Sequence, residues 1–521
     1  MLIKKEEMRS TYLLFTLFTL FTFYSCSVSK SVSKQINKQA ESILLKDSSI
    51  VTGHIGICIY EPATDKYWYD YNSTHYFIPA SNTKLFTLYA GMKYLGDSLV
   101  GLRYTYLKND ILAIFPTGDP TFLQSDFKNQ PVFSFLEKNS STFKSITIVD
   151  TSWTYWRGKA LGYGWAWDDY NEDYMVERSA LPIFGNVIKV ELRSAAERDN
   201  DIQQKKLYSK SHAEPPSLFG IKIFKTTPAF FDSAINSDPF LCYSSIDTKD
   251  QSISPHIKIK RGRDENSFSF EQSAIEFKNT TIPFSTSTKE VSILSNHSTA
   301  SKILADNLKK DEFSFAGYNP EDSVIDLYEK IGSSISFHPS TFKFKNIGVI
   351  HSQPTDSLFK PMMHRSDNFF AEQTLLMASN EHLGYMNDEK IIDTILNSDL
   401  KDVPQRPKWV DGSGLSRYNL FTPKSFVYIL NKLQNEFGLS RMKNILATGG
   451  EGTLLSYYKK DAGFIWAKTG TLSNNCALSG YLVTNKGKLL IFSILANNYI
   501  TGATPVRRAV ERFLEGIREK Y

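Results

Sequence analysis

Three groups of polar residues, far apart along the chain, could together activate a hydroxyl group. Ser81 precedes Lys84 by three positions in PASNTKLF, Ser366 and Asn368 lie in HRSDNFFAE, and Lys468 opens KTGT in IWAKTGTLS. A serine hydroxyl is a weak nucleophile until a base removes its proton. A lysine one helical turn later lies on the same helix face. Burial beside other cations lowers the pKa of such a lysine enough to make it that base.

The spacing of Ser81 and Lys84 does not by itself identify a site. The same Ser-x-x-Lys pattern recurs at other serines, among them Ser27, Ser31, Ser141, Ser340, Ser357, Ser440 and Ser456. Ser473-Asn474-Asn475 likewise repeats the Ser-x-Asn pattern, whereas Lys-Thr-Gly occurs once. The three patterns in this order resemble those of β-lactamases and penicillin-binding proteins. Order and context therefore support Ser81 as the nucleophile.

Other kinds of reactive site find little support. Ser413 lies in DGSG, which lacks the full Gly-x-Ser-x-Gly pattern of a hydrolase and is better explained as a glycine turn. The nine histidines are scattered, and no Cys-x-x-Cys or His-Glu-x-x-His spacing exists, so we expect no zinc site. Cys58, Cys242 and Cys476 lie too far apart to suggest a disulfide framework.

The elements near the two ends of the chain mirror one another. Residues 53–60 and 67–71 are predicted to be strands, and a helix follows Ser81. Its apolar residues recur at helical spacing on one stripe, namely Leu85, Leu88, Tyr89, Met92 and Leu95. Residues 476–484 and 488–495 also predict strands, and a basic amphipathic helix follows over 504–520. This symmetry predicts one antiparallel sheet that both ends of the chain share.

The middle of the chain differs from both ends in composition and sequence pattern. Residues 101–344 are rich in short β-like runs, Ser/Thr turns and aromatic residues, and one helical segment, ASKILADNLKK, interrupts them. We interpret this region as a mostly β insertion of two modules. Residues 27–100 and 345–521 would then form the catalytic domain, and their combined length is common for one domain.

Charge and composition exclude nucleic acid as a partner. The 521 residues are 41% hydrophobic and 22% charged, with a net charge of +5, which is small for this length. No dense Lys/Arg stripe appears, and the most basic stretch, IKIKRGR, reads as a solvated strand or turn.

The N-terminus predicts export. A basic head precedes the apolar run from Tyr12 to Cys26, which is short for a membrane span and typical of a signal peptide over residues 1–26. Ser25-Cys26 resembles a bacterial lipobox, although Phe23 and Tyr24 are bulkier than usual there. We expect acylation of Cys26 and a membrane-anchored periplasmic lipoprotein, and the alternative is plain secretion with cleavage near this point.

Longer segments around the motifs resemble one family. PASNTKLFTLYAGMKYLG, HRSDNFFAEQTLLMAS, DGSGLSRYNLFTP and AKTGTLSNNCALSGYLV closely resemble the D-alanyl-D-alanine carboxypeptidase/endopeptidase family, of the penicillin-binding protein 4 type. GDPTF and GWAWDDYNEDY resemble its inserted region. From Lys84 to Ser366 is 282 residues, and a long insertion after the nucleophile helix marks this family.

The resemblance implies an α+β fold. It would contain a DD-peptidase/β-lactamase-like domain, in which helices flank an antiparallel sheet, and a large, mostly β insertion after the nucleophile helix. The likeness runs from about residue 40 to the C-terminus and is weakest over residues 195–300.

The resemblance also implies the roles of the motif residues. Ser81 would attack the carbonyl of the penultimate D-Ala, with Lys84 as the base. Ser366 would relay the proton toward the leaving amine, and Asn368 would bind the substrate amide and Lys84.

The third motif would complete the site. Lys468 would add a second positive charge, while Thr469 and Thr471 would hold the substrate carboxylate or backbone. Gly470 would let the strand edge approach the substrate. The backbone N–H groups of Ser81 and Thr471 would form the oxyanion hole.

Three further residues match family positions near the third residue of the stem peptide. A carboxylate and a guanidinium, from Asp169 and Arg417, would bracket the end of a diaminopimelate side chain, with Tyr174 beside them. The alternatives are a turn residue beside two tryptophans for Asp169 and a surface ion pair for Arg417.

The leading hypothesis is a serine DD-peptidase that needs no metal or cofactor. Its substrates would be peptidoglycan stem peptides or their D-Ala crosslinks, and β-lactams would acylate Ser81. A β-lactamase is the first alternative, but no efficient deacylating base can be identified in the sequence. A catalytically silent peptidoglycan-binding protein is the second, and the presence of every motif residue argues against it.

Overall fold

The computed structural model describes residues 33–107, 110–149, 156, 159–194 and 347–521. Between residues 195 and 346 it describes only the strand and helix segments given below. The predicted signal peptide and Cys26 lie outside the described residues, as does Cys242. The chain forms two compact units.

The strands in chain order are β1 His54–Glu61, β2 Lys66–Tyr71, β3 Ser98–Leu107, β4 Ile111–Pro116, β5 Ser145–Val149, β6 Val187–Ser194, β7 Ile221–Thr227, β8 His256–Arg261, β9 Phe268–Ser273, β10 Ser287–Ser292, β11 Phe313–Ala316, β12 Ile335–Ser336, β13 Lys343–Phe344, β14 Gly348–Pro354, β15 Ala447–Thr448, β16 Ile465–Leu472, β17 Asn475–Val483 and β18 Leu489–Asn497. Besides a helical segment over residues 33–45, which ends in the π-helical Glu41–Leu45, the structure contains the α-helices α1 Lys84–Tyr94, α2 Pro131–Ser140, α3 His297–Leu308, α4 Thr355–His364, α5 Asn368–Leu383, α6 Asp388–Asn397, α7 Pro423–Phe437, α8 Leu439–Ile445 and α9 Ala503–Lys520.

One antiparallel sheet organises the first unit, which comprises Met1–Met92, Phe359–Asp367 and Ile392–Tyr521. Its strand order is β15-β16-β17-β18-β1-β2, and every neighbouring pair is antiparallel. Strand β1, from the start of the chain, pairs with β18, from its end, with His54 opposite Asn497. The predicted sheet shared by both ends of the chain is therefore present.

Residues alternate between the two faces of this sheet, as the strand period of two requires. Ile55, Ile57 and Ile59 of β1 belong to the hydrophobic core that includes residues of α9. Gly56, between them, faces the other way. An added Cβ at Gly56 would lie 2.5 Å from the ring of Phe77, so this face packs too closely for a side chain there.

Helix α1 is buried on all sides rather than on one stripe. Every residue from Lys84 to Met92 is buried, and the Phe86 ring makes edge contacts with three other aromatic rings. The predicted apolar stripe is buried from Leu85 to Met92, and the residues between its members are buried as well. Complete burial explains why polar residues of this helix must find hydrogen-bond partners inside the protein.

The second unit comprises Lys93–Leu358 and Asn368–Ile391. Its five-stranded sheet has the order β11-β5-β4-β3-β14, in which β5 runs parallel to both β4 and β11. A three-stranded sheet, β10-β6-β7, and the pairs β8-β9 and β12-β13 complete its described strands.

The expectation of a single helix within residues 101–344 is wrong. The predicted helix ASKILADNLKK overlaps α3, but residues 131–140 form a second helix, α2. Its sequence, PVFSFLEKNS, contains a β-branched residue and two phenylalanines that read like a strand. Pro131 at the first helical position favours the helix, as do Val132 and Leu136, which lie one turn apart and are buried.

No helix within the described part of the chain is both long and apolar enough to span a membrane.

Candidate active site

The turn that carries Ser81 places its hydroxyl beside Lys84. Residues Ala80–Thr83 form a 3-10 turn, and α1 begins at Lys84. The Lys84 Nζ donates hydrogen bonds to Ser81 Oγ at 2.9 Å and to the carbonyl oxygen of Ser413 at 2.7 Å. Lys84 is fully buried, whereas Ser81 is partly exposed. The hydroxyl is thus open to a ligand while its candidate base is shielded from water.

The DGSG segment supports this turn through its backbone. Ala80 has a positive φ of 47°, which is unfavourable for a residue with a Cβ. Gly414 packs against it so closely that an added Cβ would lie 1.9 Å from the Ala80 carbonyl oxygen. Ser413 therefore contributes a carbonyl group beside the nucleophile, in keeping with its interpretation as part of a glycine turn.

Asp411 holds the DGSG segment in shape. Its fully buried carboxylate accepts hydrogen bonds from the backbone N–H groups of Gly414 and Ser416 and from the Asn419 side chain, at 2.7 to 2.8 Å. A carboxylate that accepts this many hydrogen bonds fixes the conformation of the surrounding backbone. Sequence reasoning did not single out Asp411, although an aspartate directly before Gly-x-Gly is a signal for a turn.

Lys468 lies beside the second predicted hydroxyl. Its Nζ donates to Ser366 Oγ at 2.8 Å and to the carbonyl oxygen of Thr469 at 2.7 Å. Ser366 has a positive φ of 63°, so the SDN motif holds this residue in a sparsely populated conformation.

Burial and neighbouring cations act together on Lys468. The side chain is fully buried. Burial, the positive charge of Lys84 and that of Arg507 hold the pKa of Lys468 well below its ordinary value. Coulomb repulsion is mutual, so a proton on Lys468 disfavours one on Lys84 as well.

Gly470 allows strand β16 to lie directly against the Ser81 turn. An added Cβ would lie 2.5 Å from the carbonyl oxygen of Pro79 and 3.1 Å from the backbone nitrogen of Ser81. The absent side chain therefore makes room for the protein's own nucleophile turn, which is a steric reason that the sequence did not reveal.

The hydroxyl groups of Thr469 and Thr471 each have a partner that sequence reasoning missed. Thr469 Oγ1 donates to Thr453 Oγ1 at 2.7 Å. Thr471 Oγ1 accepts a hydrogen bond from Arg507 Nη2. No motif known in advance marks either partner, because each lies in an ordinary-looking segment far from KTGT along the chain.

The remaining predicted residues are divided between the two units. Asn368, at the start of α5 in the second unit, donates to the Tyr174 carbonyl oxygen at 2.8 Å. Burial and the hydrogen bond to the Asp169 carboxylate raise the pKa of Tyr174 to about 12. Arg417, in the first unit, donates two hydrogen bonds of 3.2 Å to the Ser473 carbonyl oxygen. The structure thus brings Asp169 and Tyr174 together, and it holds Arg417 against Ser473, two residues after the KTGT segment.

No cluster of three or more His, Cys, Asp or Glu side chains among the described residues could hold a metal ion. Cys58 and Cys476 are free and buried.

The sequence matches the family model of the D-Ala-D-Ala carboxypeptidase 3 (S13) family over residues 36–213 and 334–518. These two stretches make up more than half of the chain. The chain belongs to this family. The gap between the two matched stretches falls in the middle of the long insertion.

Curated relatives differ in how much of the chain they cover. D-alanyl-D-alanine carboxypeptidase DacB of Haemophilus influenzae is 23% identical over 460 residues, which cover 83% of both chains. Carboxypeptidase DacB of Mycolicibacterium smegmatis is 30% identical over 179 residues, which cover only 38% of that relative. The crystal structure of penicillin binding protein 4 from H. influenzae has a TM-score of 0.64 at 18% identity and covers 93% of this chain and 99% of its own.

These findings confirm the predicted family, the α+β fold and the enzyme class, a serine-type D-Ala-D-Ala carboxypeptidase. The roles of the individual site residues stay predictions, as do the domain boundaries after residue 100 and before residue 345.

Replacing Lys468 by Met should stabilise this S13 enzyme at neutral pH, by about 1–3 kcal/mol, because the variant removes an amine whose protonated form is costly to bury, at nearly constant volume. The folded protein binds a proton at Lys468 less readily than the unfolded chain does. The free energy of unfolding of the wild type therefore increases as pH rises toward the ordinary lysine pKa. The difference in stability between the variant and the wild type should shrink from pH 7 to pH 10. Thermal unfolding across this pH range measures the difference.

Lys459→Met is the matched control, since Lys459 is exposed, and it should shift stability by less than about 0.5 kcal/mol. A Lys468→Met protein less stable than wild type throughout, or a difference that does not change with pH, would show that Lys468 carries no burial penalty.

Proposed function

We propose that this S13 enzyme hydrolyses the D-Ala-D-Ala ends of peptidoglycan stem peptides, and D-Ala crosslinks, through an acyl-enzyme on Ser81. The observation that carries the proposal is the 2.9 Å contact between the partly exposed Ser81 hydroxyl and the buried Lys84 amine. Family membership and the fold support it.

Acylation follows from this contact. Lys84 takes the proton from Ser81 Oγ as that oxygen attacks the carbonyl carbon of the penultimate D-Ala. The new C–O bond forms while the C–N bond to the leaving residue breaks, and the leaving amine receives a proton through Ser366. The 2.8 Å contact of Ser366 with Lys468 supports this relay, because Lys468 can replace the proton that Ser366 gives up.

The oxyanion hole is formed by the backbone N–H groups of Ser81 and Thr471. The close packing of Gly470 on the Ser81 turn supports this assignment, since it brings the two backbone segments into contact. In other enzymes, the removal of one such donor raises the activation barrier by about 3–4 kcal/mol.

Water resolves the acyl-enzyme, which returns Ser81 and releases the shortened peptide. A β-lactam forms the same ester on Ser81, but its leaving group stays attached and the ester persists. Asp169, Tyr174 and Arg417 contribute to recognition of the third stem-peptide residue in this proposal, with Asn368 and Thr469 binding the peptide nearer the reacting bond.

Incubation with purified crosslinked muropeptides and mass spectrometry of the products tests the function. Wild-type enzyme should release one D-Ala from pentapeptide ends, or split crosslinked dimers at the D-Ala bond. Ser81→Ala should lower this turnover by about 10⁴-fold or more, because the variant loses the hydroxyl that forms the ester.

Labelled penicillin separates the alternatives in the same preparation. Stable label on wild type, and none on Ser81→Ala, supports a DD-peptidase. Rapid release of hydrolysed drug would indicate a β-lactamase. A wild-type protein that binds peptidoglycan but gives neither label nor products would contradict the enzymatic function.

We propose in addition that the enzyme acts outside the cytoplasm, in the periplasm, as a lipoprotein acylated at Cys26. The apolar run that ends at Ser25-Cys26 supports this, together with a substrate that lies outside the inner membrane. Acyl chains would hold the enzyme at a membrane surface without a spanning helix.

Full-length protein expressed with its N-terminus should sediment with membranes, and Cys26→Ser should move most of it to the soluble fraction. Ser25→Ala is the matched control, because it keeps both a small residue and the thiol, and it should stay on the membrane. Equal membrane association of wild type and Cys26→Ser, or an unmodified Cys26 in N-terminal mass mapping, would refute the anchor.

A further inference from the structure

Among the described residues, Arg507 has no carboxylate partner of the kind that the other arginines of α9 have. The other arginines of this helix each form a salt bridge, Arg508 with Glu511, Arg512 with Asp47 and Arg518 with Asp461. Within the described part of the chain, no carboxylate oxygen lies within 4.0 Å of the Arg507 guanidinium.

Arg507 instead faces the back of the KTGT segment. Its Nη2 donates to Thr471 Oγ1, and its guanidinium carbon lies 5.8 Å from the centre of the Tyr457 ring. Together with Thr469 and Cys476 it lines a small cavity of about 20 Å³. Thr471 itself is exposed, so a ligand can reach this residue.

This contact determines what the Thr471 hydroxyl can do. A hydroxyl group has one O–H donor and two lone pairs. A charged N–H that occupies one lone pair leaves the O–H to donate elsewhere, and it strengthens that donor by polarising the oxygen. The arrangement therefore favours an anionic acceptor in front of Thr471.

The charge of Arg507 also reaches the reacting groups. It is one of the positive charges that lower the pKa of Lys468, after burial and Lys84. A cation with no carboxylate partner in the described part of the chain, placed beside an exposed threonine, creates a local positive potential that an anionic ligand would neutralise.

We propose that Arg507 is a positioning residue for the terminal carboxylate of the substrate. It holds the Thr471 hydroxyl so that its proton points to that carboxylate, and it supplies the positive charge on this side of β16. The inference rests on the proposed function, because it concerns recognition of the C-terminal D-amino acid of that substrate. It assigns a part in this recognition to a residue that lies outside all three motifs.

Two thioesters that differ in one charge test the inference. Both carry an N-acyl-D-alanyl group, and the leaving group is thioglycolate in one and its uncharged thioglycolamide in the other. Thioesters are reactive enough for both to be followed. Kinetics are measured for wild type, Arg507→Gln, Arg507→Lys and the matched control Arg508→Gln, with thermal unfolding to verify that each variant is folded.

Arg507→Gln should lower kcat/KM for the thioglycolate ester by about tenfold, mainly through KM, because a charge-assisted contact is lost. It should change kcat/KM for the thioglycolamide by less than about threefold, so that the preference for the charged substrate falls. Arg507→Lys should recover part of this preference at low salt, and Arg508→Gln should keep all of it.

An unchanged preference in a folded Arg507→Gln enzyme would overturn the inference, as would equal losses on both thioesters. If Arg507→Gln does not fold, Arg507→Lys decides, because moving the charge must still change the preference. Failure of the proposed function gives a different result, because the wild-type enzyme would then hydrolyse neither thioester. That result would refute the inference as well.

Discussion

Repulsion between two buried lysines constrains the rest of this structure. Lys84 and Lys468 are both fully buried, and the positive charge of Lys84 helps to hold the pKa of Lys468 below its ordinary value. Their Nζ atoms donate hydrogen bonds to hydroxyl and carbonyl oxygens, those of Ser81 and Ser413 for Lys84 and those of Ser366 and Thr469 for Lys468. Such a pair is costly for stability and useful for chemistry, because a lysine that holds no proton can take one from a serine.

The fold holds these groups on rigid elements rather than on loops. Ser81 and Lys84 come from the turn that opens the buried helix α1, and Lys468 from strand β16 inside the sheet. Two glycines bring the pieces together, Gly470 between β16 and the Ser81 turn and Gly414 beneath Ala80. Close packing at both glycines limits how far the nucleophile can move, and fixed geometry of this kind is what positioned catalytic groups require.

The sequence predicted what depends on local pattern and on motif order. The shared antiparallel sheet followed from alternating strands at both ends, and the three motifs were recognisable because Lys-Thr-Gly occurs once and in context. Residues that act across long sequence distances could not be predicted, such as Asp411, Thr453 and Arg507, because their partners are set by tertiary packing alone. Helix α2 was missed because its aromatic residues match a strand pattern as well as a helix.

The pH dependence of acylation tests the central claim most directly, that burial and mutual repulsion keep a lysine of this pair unprotonated beside Ser81. The rate constant for acylation by a chromogenic β-lactam should stay near its maximum at pH 7. Its acidic limb should lie well below pH 10, and the limb belongs to the pair rather than to one residue. A rate that falls about tenfold for each pH unit below the ordinary lysine pKa of about 10.4 would contradict the account.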